Sequence, residues 1–244
     1  METYNKTLGK VPVENIRILN IPLISAEIIA GFQSLEDLTG TVSDALDQIG
    51  INSVIGSFRL PSVNPGKRII GPALTVRNVE HRRQSYSAVL NGQNGQGETE
   101  AHNLMVQGNV LVMEGVQGVS NMGGMSATLC RRAGCIGAVI EGTVRDPQQY
   151  REMNWPVWCS GFTPQSGKWR LQTIEINGTV SVGGIRIDAG DLICADDAGI
   201  AVIPNSMCQE VLHISINIDR GDKLRKRDID NGVPLTDIVK KIYK

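Results

Sequence analysis

The sequence predicts an α/β fold, and three observations carry that prediction. Between Asn109 and Glu152, apolar strand-like runs alternate with glycine turns and helical segments, in the order strand, glycine loop, helix, strand, turn, helix. From 163 to 204 the chain changes to short runs separated by Asn-Gly, Gly-Gly and Asp-Ala-Gly turns, the pattern of an antiparallel β layer. Both ends carry helical periodicity instead. The expected picture is a set of β-rich layers with helices packed on one side.

Taken in order, residues 1–20 read as a polar arm. A helical pattern runs from Ser25 to Gln33 and again from Val42 to Ile49, where Thr41 or Ser43 can cap the start and Gly50 can end the helix. Arg68–Val76 (RIIGPALTV) is β-like, with Gly71-Pro72 marking a bulge or an edge. Ser85–Leu90 begins a helix that Gly92–His102 (GQNGQGETEAH) interrupts. That stretch is too glycine-rich for regular structure and too short for a domain.

Asn109–Glu114 is a buried strand, Gly115–Gly124 a loop, and Met125–Ala133 a short helix stopped at Gly134. Cys135–Glu141 is the next strand, followed by the turn Gly142–Asp146 and a helix opening at Pro147. Trp155–Phe162 is a strand. Thr173–Ile176 and Thr179–Val182 flank Asn177-Gly178, the strongest short hairpin signal. Asp191–Ala195 and Ile200–Ile203 are strands, with Asp196–Gly199 read as the turn between them rather than a metal cluster. Asn205–Arg220 is a helix capped by Asn205 or Ser206, and the basic tail to Lys244 is also read as helical.

Composition narrows the function. The 244 residues fit one large domain with terminal arms, and a chain this long folds without a disulfide or structural metal. A net charge of −1 argues against nucleic-acid binding by bulk electrostatics, and 4% aromatics leave little for base-stacking platforms. The five cysteines show no CxxC spacing and mostly sit among apolar neighbours, as reduced core thiols do. No apolar run approaches about 18 residues and the first ten residues lack a signal-peptide core, so a cytoplasmic protein off the membrane is expected.

The three histidines lie in no nucleophile-elbow or HExxH setting, and phosphate-loop and dinucleotide fingerprints are absent. The informative stretch is Gly115–Asp146. Gly123 and Gly124 precede a helix whose first amides, those around Met125 included, are unobstructed and can hold an anion. The following strand delivers Arg145 and Asp146 at its carboxyl end, where α/β proteins bind ligands. A guanidinium there suits a carboxylate, and an adjacent carboxylate suits a hard divalent cation that keeps most of its waters. Together they describe a 2-oxo acid whose enolate a metal stabilises. A purely structural account competes: Asp146 as N-cap, Pro147 at the first helical position, and Gln149 closing a capping box. On spacing alone that account is the favoured one.

Motif order tips the balance. VSDALDQIG (42–50), GPALTV (71–76), NVLV (109–112), GCIGAVIEGTVRD (134–146), WPVWCSG (155–161) and GGIRIDAGDLICADDAGIAVIP (183–204) together resemble the RraA-like family. That family includes class II 4-hydroxy-4-methyl-2-oxoglutarate/4-carboxy-4-hydroxy-2-oxoadipate aldolases, which commonly also decarboxylate oxaloacetate. The resemblance implies a swivelling β/β/α sandwich over residues 41–204, with 1–40 as an arm and helix and 205–244 as a helical tail, all in one structural domain. It also implies a homotrimer or homohexamer with sites between subunits, acting on a small 2-oxo acid. In that scheme Arg145 binds the pyruvyl carboxylate and enolate oxygen, and Asp146 holds Mg2+ or Mn2+. The amides around Gly123, Gly124 and Met125 cradle the carboxylate, and a metal-ordered water carries the proton. Some relatives in the family instead inhibit ribonuclease E by contact and lack the metal aspartate. A non-catalytic regulator, or another lyase or hydratase on the same enolate scaffold, is therefore the alternative. The chain departs from the aldolases at Gly124 or Met125 and at Gln149, where they usually carry acids. Glu98, Glu100 and His102 are read as a solvated loop rather than as replacements.

Overall fold

In the computed structural model, which describes residues 7–82 and 85–243, a twelve-residue strand ties two sheets together. The elements in order are α1 (Ala26–Gln33), α2 (Thr39–Gln48), β1 (Val54–Gly56), β2 (Ile69–Glu80), α3 (Ser85–Leu90), α4 (Glu98–Leu104), β3 (Val110–Glu114), α5 (Gly124–Arg132), β4 (Gly137–Val144), α6 (Pro147–Glu152), β5 (Val157–Phe162), β6 (Leu171–Ile176), β7 (Val180–Val182), β8 (Ile185–Ile187), β9 (Leu192–Ala195), β10 (Gly199–Ile203), α7 (Cys208–Asp230) and α8 (Leu235–Ile238).

The first half of β2 pairs antiparallel with β9, which continues to β10 and β1. The second half runs parallel to β3, and β3, β4 and β5 follow in parallel register, while β6 lies antiparallel along the other edge of β2.

Period-two alternation sorts the strand side chains. On β3, Val110 and Val112 face one way and Leu111 and Met113 the other; on β10, Ile200 and Val202 oppose Ala201 and Ile203. The result is three packed interfaces. One lies between the two sheets and is closed by the β7–β8 hairpin. A second lies between the parallel strands and α4, α5 and α6. In the third, Phe32, Val42, Leu46 and Val211 of α1, α2 and α7 cover Leu192, Cys194, Ala201 and Ile203. Helices thus flank both outer faces and not one side only, because the terminal helices add a layer to the β/β/α core.

Three further sequence expectations are corrected. Gly92–His102 is not irregular throughout, since its second half becomes α4. Asn177-Gly178 does not close a hairpin. Asn177 takes a left-handed turn (φ 55°), but β6 leaves to pair with β2 and β7 pairs with β8 instead, around Gly183-Gly184 (φ 61° and 77°). The long helix starts at Cys208 and does not stop at Arg220; it runs to Asp230. Asp196 does act as a turn residue, accepting the Thr39 and Ala198 amides, and Asp197 accepts that of Gly66. No helix among the described residues is long and apolar enough to cross a membrane.

Candidate active site

Parallel strands β3 and β4 end side by side, with Glu114 opposite Glu141 in register. The loop after β3 leads to α5, and the turn after β4 supplies Arg145 and Asp146. A register shift after Ile140 re-aims the end of β4 just before that turn.

The glycine loop is held from inside. The buried Asn121 accepts the Val116 N–H (2.9 Å) and the Asn78 side-chain amide (3.3 Å), and it donates to the carbonyls of Val116 (2.7 Å) and Thr143 (3.1 Å). The next carbonyl, that of Met122, accepts from the Ser120 hydroxyl (2.9 Å), the Tyr150 hydroxyl (2.9 Å) and the Arg145 N–H (3.1 Å). Burial, and secondarily the Asp146 carboxylate, pushes the Tyr150 phenol pKa up, so that hydroxyl stays a donor. One carbonyl therefore fixes the loop, α6 and Arg145 relative to one another.

Asp146 behaves differently from its sequence reading. It adopts a left-handed conformation (φ 61°, ψ 46°) and makes no side-chain cap on α6, although Pro147 does occupy the first turn. Such a conformation costs a non-glycine residue about 1 kcal/mol or more and is concentrated at functional sites. The turn points its carboxylate sideways, where Oδ2 accepts the Gly124 N–H of α5 at 3.0 Å and lies 3.4 Å from Arg145 Nε. The capping box is therefore absent, and Asp146 caps the neighbouring helix instead. Arg145 and Asp146 are each about one-third exposed, so both can meet solvent or a ligand.

The structure brings Gly123, Gly124, Arg145 and Asp146 together, and a side chain at either glycine would have to displace a neighbouring one. A Cβ on Gly123 would meet Arg145 Nε at 2.7 Å and Asp146 Oδ2 at 3.0 Å. A Cβ on Gly124 would overlap the Gln149 side chain. The departures at 124 and 149 are thus physically coupled: Gln149 fills the space a side chain at 124 would need. Because Asp146 already takes the Gly124 amide, an anion at this helix end would meet Arg145 and the following amides. Met125, the second residue of α5, leaves its side chain exposed.

The segment before α4 packs against the start of the glycine loop and against β6. Gln96 Nε2 donates to the carbonyl of Ser120 at 3.3 Å, the Gly95 amide to that of Lys168 at 3.1 Å, and the Gly97 amide to the Thr173 hydroxyl at 2.8 Å. Glu98 follows, half-buried, and desolvation raises its pKa against the pull of Lys168 and Arg145. Glu100 is fully buried and accepts the amides of Leu8 (2.8 Å) and Lys10 (3.0 Å). His102 is buried, with neither ring nitrogen bonded among the described residues, and desolvation lowers its pKa to about 4. None of the three is a solvated loop group. Sequence reasoning also missed Asn121 and Tyr150, whose roles depend on contacts that no local pattern encodes.

Fold and site together define an α/β protein with an arginine, an aspartate and glycine amides at the carboxyl edge of a parallel sheet. The RraA-like family model, described as Aldolase/RraA, matches residues 39–202, and the chain belongs to that family. It is 32% identical over 194 residues to protein DlpA of Legionella pneumophila, covering 80% of this chain but only 30% of DlpA. It is 28% identical over 197 residues to a Halalkalibacterium halodurans protein named "Putative 4-hydroxy-4-methyl-2-oxoglutarate aldolase", covering 80% of this chain and 86% of that one. Among solved structures, Streptomyces coelicolor RraAS2 superposes with a TM-score of 0.70 at 24% identity, over 84% of this chain and 98% of its own, which supports the fold.

Proposed function

We propose that this chain is a divalent-metal-assisted lyase that cleaves a C–C bond of a 4-hydroxy-2-oxo dicarboxylic acid to release pyruvate, with oxaloacetate decarboxylation as a second activity. The observation that carries the reading is the left-handed Asp146, which sets a carboxylate beside Arg145 over Gly123-Gly124. The name of the Halalkalibacterium relative agrees with it.

Among the described residues no three His, Cys, Asp or Glu gather as a metal cage. Asp146 Oδ1 accepts no hydrogen bond there, while Oδ2 is engaged. One free carboxylate oxygen fits Mg2+ or Mn2+ bound mainly through water and substrate. When bound there, the cation supplies electrophilic stabilisation of the enolate.

The chain's own groups do the rest. Arg145 pairs with the carboxylate of the 2-oxo acid and faces the oxygen on which charge develops, and the amides that follow Gly124 stabilise the same charge. The Met122 carbonyl holds Arg145 in place through its backbone N–H. The proposal extends to a homotrimer or homohexamer, since Met125 and Leu129 leave an exposed apolar strip one helical turn apart beside the site.

A second reading, a non-catalytic regulator, is favoured by one observation: Gln149 occupies the room an acid at 124 would need. Pyruvate release from oxaloacetate and from 4-hydroxy-4-methyl-2-oxoglutarate, with Mn2+ or Mg2+ and then with EDTA, decides between them. Metal-dependent pyruvate is expected. No pyruvate under any condition would favour the regulator.

A further inference from the structure

We infer that Gln149 is a specificity-determining residue of this site. Its carboxamide donates to the distal carboxylate of the substrate and so selects 2-oxo dicarboxylic acids over 2-oxo acids with an uncharged tail. The inference rests on the lyase reading above and deepens it.

Gln149 is placed at the site by contact. The Cβ position of Gly124 lies 1.7 Å from Gln149 Oε1 and 2.4 Å from its Cδ, while that of Gly123 lies 2.7 Å from Arg145 Nε and 3.0 Å from Asp146 Oδ2. The two glycines that open α5 therefore carry guanidinium, carboxylate and carboxamide side by side on their bare faces. The start of α6 explains the row. Asp146 and Gln149 stand three residues apart there and share a face, and the Gln149 N–H bonds the Asp146 carbonyl at 2.9 Å. Gln148, one position earlier, turns elsewhere and donates to Glu152 at 2.7 Å.

The row has a direction. Arg145 and Asp146 are each about one-third exposed, and Gln149 is more open, so a ligand whose 2-oxo acid head meets Arg145 extends its tail past Gln149. Oε1 is the carboxamide atom pressed onto Gly124, which leaves the NH2 turned away from it, and among the described residues the side chain makes no hydrogen bond. That NH2 is an uncharged donor. A carboxylate on the tail can accept from it with no like charge added, whereas an acid in its place would repel that carboxylate. The charge of Asp146 is already offset by Arg145 at 3.4 Å.

The test uses full-length protein with Mg2+ and compares calorimetric affinities for 2-oxoglutarate and 2-oxopentanoate. These share a head and a chain length and differ only in the terminal carboxylate, and neither carries the hydroxyl that cleavage needs, so binding is read without turnover. The unmodified protein is expected to favour 2-oxoglutarate about tenfold or more, Gln149→Ala to lose most of that preference, and Gln149→Glu to reverse it. In turnover of 4-hydroxy-4-methyl-2-oxoglutarate, Gln149→Ala should raise KM far more than it lowers kcat, as loss of a contact remote from the reacting bond does. Oxalate still bound, with the preference absent from the unmodified protein or unchanged in both variants, would overturn the role of Gln149 and leave the lyase reading standing. Equal losses of affinity for both acids in the variants would also overturn it, since a residue that only supports Gly124 would act that way. An unmodified protein that binds neither acid nor oxalate and releases no pyruvate would overturn both.

Discussion

Two glycine-rich segments meet at the Ser120 carbonyl, and they are built on opposite principles. Gly115–Gly124 stays a loop, because Asn121 and the Met122 carbonyl replace the hydrogen bonds that regular structure would have supplied. Gly92–His102 starts as a loop and ends in a helix, where Glu100 accepts the amides of the N-terminal arm and His102 is buried. Glycine content alone does not separate the two. A buried amide that can both donate and accept makes a stable loop; a buried carboxylate with distant backbone partners nucleates a helix against the arm.

That contrast can be broken or sharpened by substitution. The largest effect is expected at Asn121→Leu, which strands the Val116 amide and carbonyl and takes a partner from the Asn78 side-chain amide, at about 1–3 kcal/mol each unless water reaches them, while the backbone bond from residue 121 to the Thr143 carbonyl stays. Urea melts should show a loss of 3 kcal/mol or more, an order-of-magnitude figure from that range. A loss under about 1 kcal/mol would mean the loop does not depend on Asn121.

Acid should discriminate between the segments next. The His102 pKa is about 4 folded against 6.5 for the ordinary group, so between those values the unfolded chain binds a proton that the folded one does not. Stability from this residue is complete above the unfolded pKa, falls as pH drops through 6.5, and is down by roughly 3 kcal/mol near pH 4. Hydrogen exchange should show α4 opening before α5 as pH is lowered, and His102→Leu should flatten the slope. An unchanged slope in that variant would assign the acid sensitivity elsewhere.

Glu100→Gln removes one of the two arm bonds, because its NH2 cannot accept, and weakens the other; it is expected to cost about 1–3 kcal/mol, with faster proteolysis near Leu8–Lys10 as the local readout. The smallest effect belongs to a pair remote from both segments. Removing Lys223, bonded to Asp219 one helical turn earlier on α7, should change the melt by no more than about 0.5 kcal/mol.

The parallel strands, the glycine loop and the placement of Arg145 and Asp146 at a carboxyl edge were legible in the sequence because each rests on local period or turn chemistry. The orientation of Asp146 was not. Asp-Pro-Gln-Gln is a sound helix start, and only the nearby Gly124 amide, 22 residues earlier in the chain, turns that carboxylate aside. Asn177-Gly178 misled for a similar reason: the local turn forms, but β6 pairs with the edge of β2 and not with β7.

The central claim is that Arg145, Asp146 and the glycine amides form a site for the enolate of a 2-oxo acid. Oxalate has the planar, doubly anionic shape of the pyruvate enolate, so its calorimetric titration with Mg2+ or Mn2+ into the unmodified protein and Arg145→Ala tests that claim most directly. The account predicts binding that requires the metal and weakens about 10²-fold or more in the variant, with the fold intact. Equal affinity in both proteins, or no binding to either, would contradict it.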